Sequence, residues 1–178
     1  MSFEILFIVY FVYGLAFFSM GLIIVLEASR TPSLEQKHLL QPLAVFGLLH
    51  GIHEWLEIFT LQNEHLHGNL PVWITWFRLI VLALSFIALW FYGWQSFQVA
   101  RKHFSPFTFF GLITLPPYLL LILADILYAV YQGNISSLQA TEGLIRYLLA
   151  VPGAATASLG LQASANRAKA DARRPLNT

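Results

Sequence analysis

Five long runs of apolar residues, separated by short polar segments, dominate the chain. They cover about residues 3–26, 33–61, 71–99, 106–131 and 137–163. Each is near the length, roughly 20 residues, with which an α-helix crosses a hydrocarbon core. The pattern predicts an all-α fold, a polytopic membrane bundle of five transmembrane helices over residues 1–163, followed by a basic cytoplasmic extension over residues 164–178. Local signals punctuate it. Gly14 and Gly21, seven apart, give the first helix a smooth strip for close contact. Ser33-Leu34-Glu35-Gln36 has the form of a capping box at the start of the second. Residues 62–70 read as a loop carrying Glu64, His65, His67 and Gly68, and Pro71 suits the first turn of the third helix. Trp73 and Trp76 near one end, with Trp90, Tyr92 and Trp94 near the other, read as interfacial belts.

In the fourth run Pro116-Pro117 removes two backbone donors and predicts a kink or break. Residues 133–137 read as a turn. The fifth run contains Pro152-Gly153, and its later half is rich in small residues, Gly153, Ala154, Ala155, Ala157, Ser158 and Gly160, a surface that predicts another helix against it. Residues 162–174 are polar and alanine-rich, a helical continuation that Pro175 ends.

The second run breaks the apolar pattern at His50-Gly51-Ile52-His53-Glu54-Trp55-Leu56-Glu57. At about 100° per residue, positions 50, 53, 54 and 57 fall within one arc of roughly 100°, so two imidazoles and two carboxylates share a face. Ionisable groups in a spanning helix are expensive, and they face a bundle interior or a cavity rather than lipid. That face is therefore the first candidate site.

Composition agrees with the membrane reading and narrows the chemistry. The chain is 57% hydrophobic and 11% charged. Soluble domains carry about 25% charged residues. A net charge of +1 without a basic stripe excludes nucleic acid as a partner and leaves the lipid bilayer as the medium. There is no cysteine, so disulfides, thiolate metal sites and thiol nucleophiles are excluded. Metal would sit on His and carboxylate. Met1-Ser2-Phe3-Glu4 carries no basic residue ahead of the first apolar run and reads as the start of a retained helix.

Charge also orients the bundle. Arg30 and Lys37, Arg101 and Lys102, and Arg167, Lys169, Arg173 and Arg174 lie in alternate inter-helix segments, eight of the ten Lys and Arg. The positive-inside rule then places the N-terminus outside and the C-terminus in the cytoplasm, as expected for a multi-pass protein of a bacterial inner membrane. Counting about 1.5 Å per residue, Glu57, Arg78, Asp125, Glu142 and Arg146 all fall in the outer half of the membrane, with His50 near the midplane. Tyr10, Tyr13, Tyr128 and Tyr147 share that layer. Glu54, Glu57, Asp125 and Glu142 offer four negative charges, Arg78 and Arg146 two positive ones. The layer is short by two positive charges, which protonated His50 and His53, shared protons or a bound cation would supply. The candidate ligand-binding set is thus His50, His53, Glu54, Glu57, Arg78, Asp125, Glu142 and Arg146. A divalent metal would take His50, His53 and Glu57, and either histidine is a candidate single axial ligand for haem. The plain alternative is a set of fixed ion pairs that set helix register.

Catalytic patterns fail. His53-Glu54-Trp55-Leu56-Glu57 has half of the zinc-peptidase motif, with Glu where the second imidazole is needed. No glycine-rich phosphate loop or nucleophile elbow is present, so no enzymatic activity is expected of this chain.

Residues 13–21, Leu26-Glu27 with Arg30, residues 43–55 and Leu148-Leu149-Ala150-Val151-Pro152-Gly153-Ala154 together resemble the N-terminal multi-helix membrane region of bacterial signalling proteins, which precedes PAS, histidine kinase or diguanylate cyclase domains. The resemblance implies a sensory input module that signals to a cytoplasmic output domain, through a homodimer or further spanning helices. A haem- or metal-binding membrane protein or enzyme is the alternative.

Overall fold

The computed structural model describes residues 3–30, 34–68, 71–100, 106–132 and 138–172. Every regular element among them is helical: α1 (Phe3–Arg30), α2 (Leu34–His67), α3 (Val72–Ala100), α4 (Pro106–Gln132), α5 (Leu138–Ile145), a π-helical turn (Arg146–Ala150) and α6 (Val151–Ala172). Three of these helical stretches are long and apolar enough to cross a membrane, Phe3–Arg30, Val72–Gln98 and Ala140–Asn166. The distribution of side chains is that of a bundle in lipid. Large apolar residues such as Ile23, Leu120 and Leu127 point outward, while His53, Ser85 and Thr141 are fully buried. Apolar surface exposed on this scale marks contact with a membrane or with partner chains.

Small residues set how the helices cross. A β-carbon on Gly21 would stand 2.7 Å from the Leu48 backbone nitrogen, and one on Gly47 would stand 2.9 Å from Gly21 Cα. Gly14 and Gly51 meet the same way, so α1 and α2 touch backbone to backbone along two turns. The smooth strip expected on α1 is thus met by a complementary Gly47/Gly51 pair, four apart on α2. α3 lies centrally, packing against α2 on one side and α6 on another, with α4 and α5 alongside. At the α3–α6 contact Gly93 faces Ala157 and Thr156, Gly153 faces the Trp90 indole, and Gly160 faces the Gly93 carbonyl.

Several expectations change on this fold. α2 does not end near residue 61. It continues to His67 and stops at Gly68, whose φ of 77° closes the helix with a bond from its N–H to the Glu64 carbonyl at 3.0 Å. A left-handed glycine just past the last turn is a common way for a helix to end. α4 runs through Pro116 and Pro117 without a break. Trp90 and Tyr92, read as belt residues, are 5% exposed and face the core, whereas Trp73 is 68% exposed. The small face of α6 is divided: Gly153, Ala157 and Gly160 are taken up by α3, while Ala154, Ala155 and Ser158 face outward. Helix continues to Ala172, as expected for the extension. The capping serine Ser33, the turn at residues 133–137, Arg101, Lys102 and Pro175 lie outside the described residues.

The π-helical turn has a local cause. Pro152 cannot donate a backbone hydrogen bond, and its ring crowds the carbonyl one turn earlier. Widening the preceding turn accommodates the ring. The Leu149 carbonyl in that turn accepts a hydrogen bond from Trp90 Nε1 at 2.7 Å. Such turns concentrate at functional sites, and this one begins at Arg146.

Candidate functional site

The face expected on α2 exists, and it is buried. His50, His53, Glu54 and Glu57 are 4%, 0%, 1% and 7% exposed. One-turn spacing sets them as two pairs, with His50 Nε2 3.5 Å from Glu54 Oε1 and His53 Nε2 3.5 Å from Glu57 Oε1.

The packing of α3 and α5 against this face adds both arginines. Arg78 donates from Nη1 to Glu57 Oε2 at 2.6 Å and from Nη2 to Glu142 Oε2 at 2.8 Å, joining α2 to α5 through α3. Arg146, at the start of the π-helical turn, donates from Nε and Nη2 to Glu142 Oε1 at 3.1 and 2.9 Å. Its Nη2 also lies 3.3 Å from His53 Nε2. Asp125 stands apart from the arginines and accepts a hydrogen bond from Thr141 Oγ1 at 2.5 Å.

Donor chemistry fixes the ring protons. Ser85 has one hydroxyl hydrogen, which it gives to the Leu82 carbonyl at 2.7 Å. The Ser85 hydroxyl also stands 3.3 Å from His50 Nδ1. With its own hydrogen already given away, the hydroxyl can only accept there, so that ring nitrogen donates. A guanidinium has no acceptor, so Arg146 makes His53 Nε2 the acceptor and leaves the hydrogen on Nδ1. In both neutral rings Nε2 then presents a lone pair to a carboxylate oxygen. Glu54 Oε1 and Glu57 Oε1 are buried and have no hydrogen-bond partner among the described residues. Two acceptors facing each other in a dry interior repel, and a cation or a proton between them removes the conflict.

Of the eight predicted residues, His53, Glu57, Arg78, Glu142 and Arg146 form one cluster. His50 and Glu54 adjoin it one turn along α2, and Asp125 sits at its edge through Thr141. Within that cluster the group that meets one ion's reach is His53, Glu57 and Glu142, with ligand atoms all within 4.8 Å of one another. The predicted metal set shares His53 and Glu57 with this group but has His50 where the fold brings Glu142. His50 is instead enclosed by the rings of Phe17, Phe86 and Phe46, at centroid distances of 4.6, 5.2 and 5.3 Å. Those rings crowd His50, and His53 is fully buried, so a haem on either histidine would require these side chains to move. His53, Glu57 and Glu142 lie close enough together to hold a single metal ion once Arg146 leaves Glu142 Oε1.

Ser85 and Thr141 are the residues that sequence reasoning missed. Ser85 lies seven residues after Arg78 on one helix face, so helical spacing from the arginine was an available signal, whereas Thr141, adjacent to Glu142, shares no face with it by spacing. His65, expected in a loop, is on α2 and exposed, stacked on Phe3 at 4.8 Å, outside the cluster. Tyr13 reaches the His50 ring edge-on at 6.4 Å, whereas Tyr128 and Tyr147 are 61% and 76% exposed.

A scan against protein-family models matches none, and searches of curated proteins and of solved structures return no match.

Proposed function

We propose that this chain is a membrane-embedded sensory input module of a bacterial signal-transduction protein, multi-pass in the inner membrane. In this reading the N-terminus lies outside, and the His/Glu/Arg cluster sits in the outer half of the bilayer, where it takes up a small ligand, cation or proton. The cluster's occupancy sets how α2, α3 and α5 pack, and α6 carries the change to a cytoplasmic output domain, within a homodimer or with further spanning helices. The chain itself performs no catalysis.

One observation carries the reading: Arg78 ties Glu57 of α2 to Glu142 of α5, and Arg146, bound to the same Glu142, begins the irregular turn that leads into α6. A change of charge at Glu57 or His53 is thereby one side chain from the helix that would report it. Differential binding to two packings is what a ligand must supply to shift such an equilibrium.

The absence of cysteine makes the test clean. Cysteines placed at exposed Gln98, near the end of α3, and at exposed Leu161, midway along α6 and just past the crossing at Gly160, carry spin labels, and their separation is measured in nanodiscs. Glu57→Gln and Arg146→Ala are expected to move the distance distribution by roughly 1–2 Å or to populate a second one, the scale of helix shifts in switching proteins. One identical distribution in wild type and both variants would sink the sensor reading, because the cluster would then have no mechanical link to α6.

A further inference from the structure

Resting on that reading and naming its ligand, we infer that His53, Glu57 and Glu142 form a binding site for a divalent transition-metal ion of the zinc class, with Arg146 as the group the ion displaces. One imidazole and two carboxylates are ordinary donors for such an ion, and three protein ligands leave a fourth position open. Ligands about 2.0–2.2 Å from a tetrahedral ion stand roughly 3.3–3.5 Å apart. His53 Nε2 and Glu57 Oε1 stand 3.5 Å apart.

The donor atoms are also in the right state. The Arg146 contact leaves the His53 Nε2 lone pair facing the site, the tautomer an ion needs. Glu57 Oε1 is buried, has no hydrogen-bond partner among the described residues and stands 3.5 Å from that nitrogen, while Glu57 Oε2 is held by Arg78. Arg78 thus orients the ligand carboxylate without covering its free oxygen, the part an outer-shell group plays in metal sites.

Glu142 completes the set only when Arg146 moves. Its Oε1 is the oxygen that Arg146 grips, and Arg146 touches His53 through the same nitrogen. The guanidinium therefore holds two of the three ligands, in the position where an ion would carry positive charge. Arg146 is the more exposed of the two arginines, with its side chain 38% exposed against 13% for Arg78. It can swing away while Arg78 stays. The charge sum points the same way, since Glu54, Glu57 and Glu142 outnumber Arg78 and Arg146 by one negative charge and so favour an added cation.

The site is tested by metal uptake in the purified full chain in nanodiscs, with Co²⁺ as a spectroscopic stand-in for Zn²⁺. Wild type is expected to bind one equivalent with the absorption of a tetrahedral nitrogen and oxygen site, and Zn²⁺ should displace it. His53→Ala should lose the spectrum. Arg146→Ala should bind about tenfold tighter or more, because a competing positive charge a few ångströms away is gone. Arg146→Ala keeps every ligand and the Arg78 bridges, so it reads the site even where His53→Ala fails to fold. No saturable uptake in wild type and Arg146→Ala would overturn the site, as would uptake unchanged by His53→Ala or weakened by Arg146→Ala. Binding that leaves the Gln98–Leu161 label distance unmoved would support the site and count against the sensor reading alone.

Discussion

The glycine-lined crossings and the charged cluster hold the same helices together by opposite means. Where α1 crosses α2 and α6 crosses α3, backbones meet through Gly14, Gly21, Gly47, Gly51, Gly93, Gly153 and Gly160, with no charge involved. Where α2, α3 and α5 meet, the contact is between guanidinium and carboxylate groups. The crossings are complete, because any added β-carbon would collide. The cluster is not, because two buried carboxylate oxygens, Glu54 Oε1 and Glu57 Oε1, have no hydrogen-bond partner among the described residues. A contact that is complete has one arrangement. One with unsatisfied acceptors has a reason to take up something else.

Breaking each kind of contact separates them. Arg78→Leu should have the largest effect, since it strands the buried Glu57 carboxylate and halves the pairing of Glu142. Removing one partner of a buried pair costs about 3–5 kcal/mol of stability. Thermal or denaturant unfolding in detergent measures it, and Arg78→Leu with Glu57→Leu should recover part of the loss. Next comes Gly47→Val, which forces α1 off α2 where the added carbons meet the Gly21 backbone. Overpacking of that kind costs about 1–3 kcal/mol. If Gly47→Val proves the more damaging of the two, the cluster does not hold the bundle but only sits in it. Trp90→Phe keeps the ring packed on Gly153 and deletes one bond to the Leu149 carbonyl. That carbonyl is then left without its indole donor in a dry interior, for a loss of about 1–3 kcal/mol. Tyr147→Phe should have the smallest effect, since the side chain lies 76% exposed beside the cluster rather than in it. The same unfolding measurement should change by no more than about 0.5 kcal/mol, as for surface substitutions in general. A larger loss would draw Tyr147 back into the layer where depth alone had placed it.

Periodicity and depth anticipated much of the cluster's membership but not how its members pair. The face made by His50, His53, Glu54 and Glu57 follows from helical geometry, and the shared depth of Glu57, Arg78, Glu142 and Arg146 follows from rise per residue. Neither fixes the rotation of one helix about its axis relative to another. For that reason Asp125, equal in depth, binds Thr141 rather than an arginine, and Trp90, read as a belt residue, turns inward to bond Leu149. Of the kink or break expected at Pro116 and Pro117, the break does not occur: a missing donor weakens a helix locally, but α4 runs on through both.

What the amino-acid order alone determined is therefore local and one-dimensional: the helical stretches, the polar face of α2, the deficit of two positive charges, and the exclusion of cysteine chemistry. The tertiary structure decided which groups meet. Backbone contact at Gly47 and Gly51 sets where α2 stands against α1, and contact at Gly93 and Gly153 sets where α6 stands against α3. Those distances are fixed by the sterics of absent β-carbons, and they turn Glu142, rather than His50, toward His53 and Glu57. A spacing rule within one helix cannot express that choice, because the third ligand comes from another helix whose rotation only packing determines.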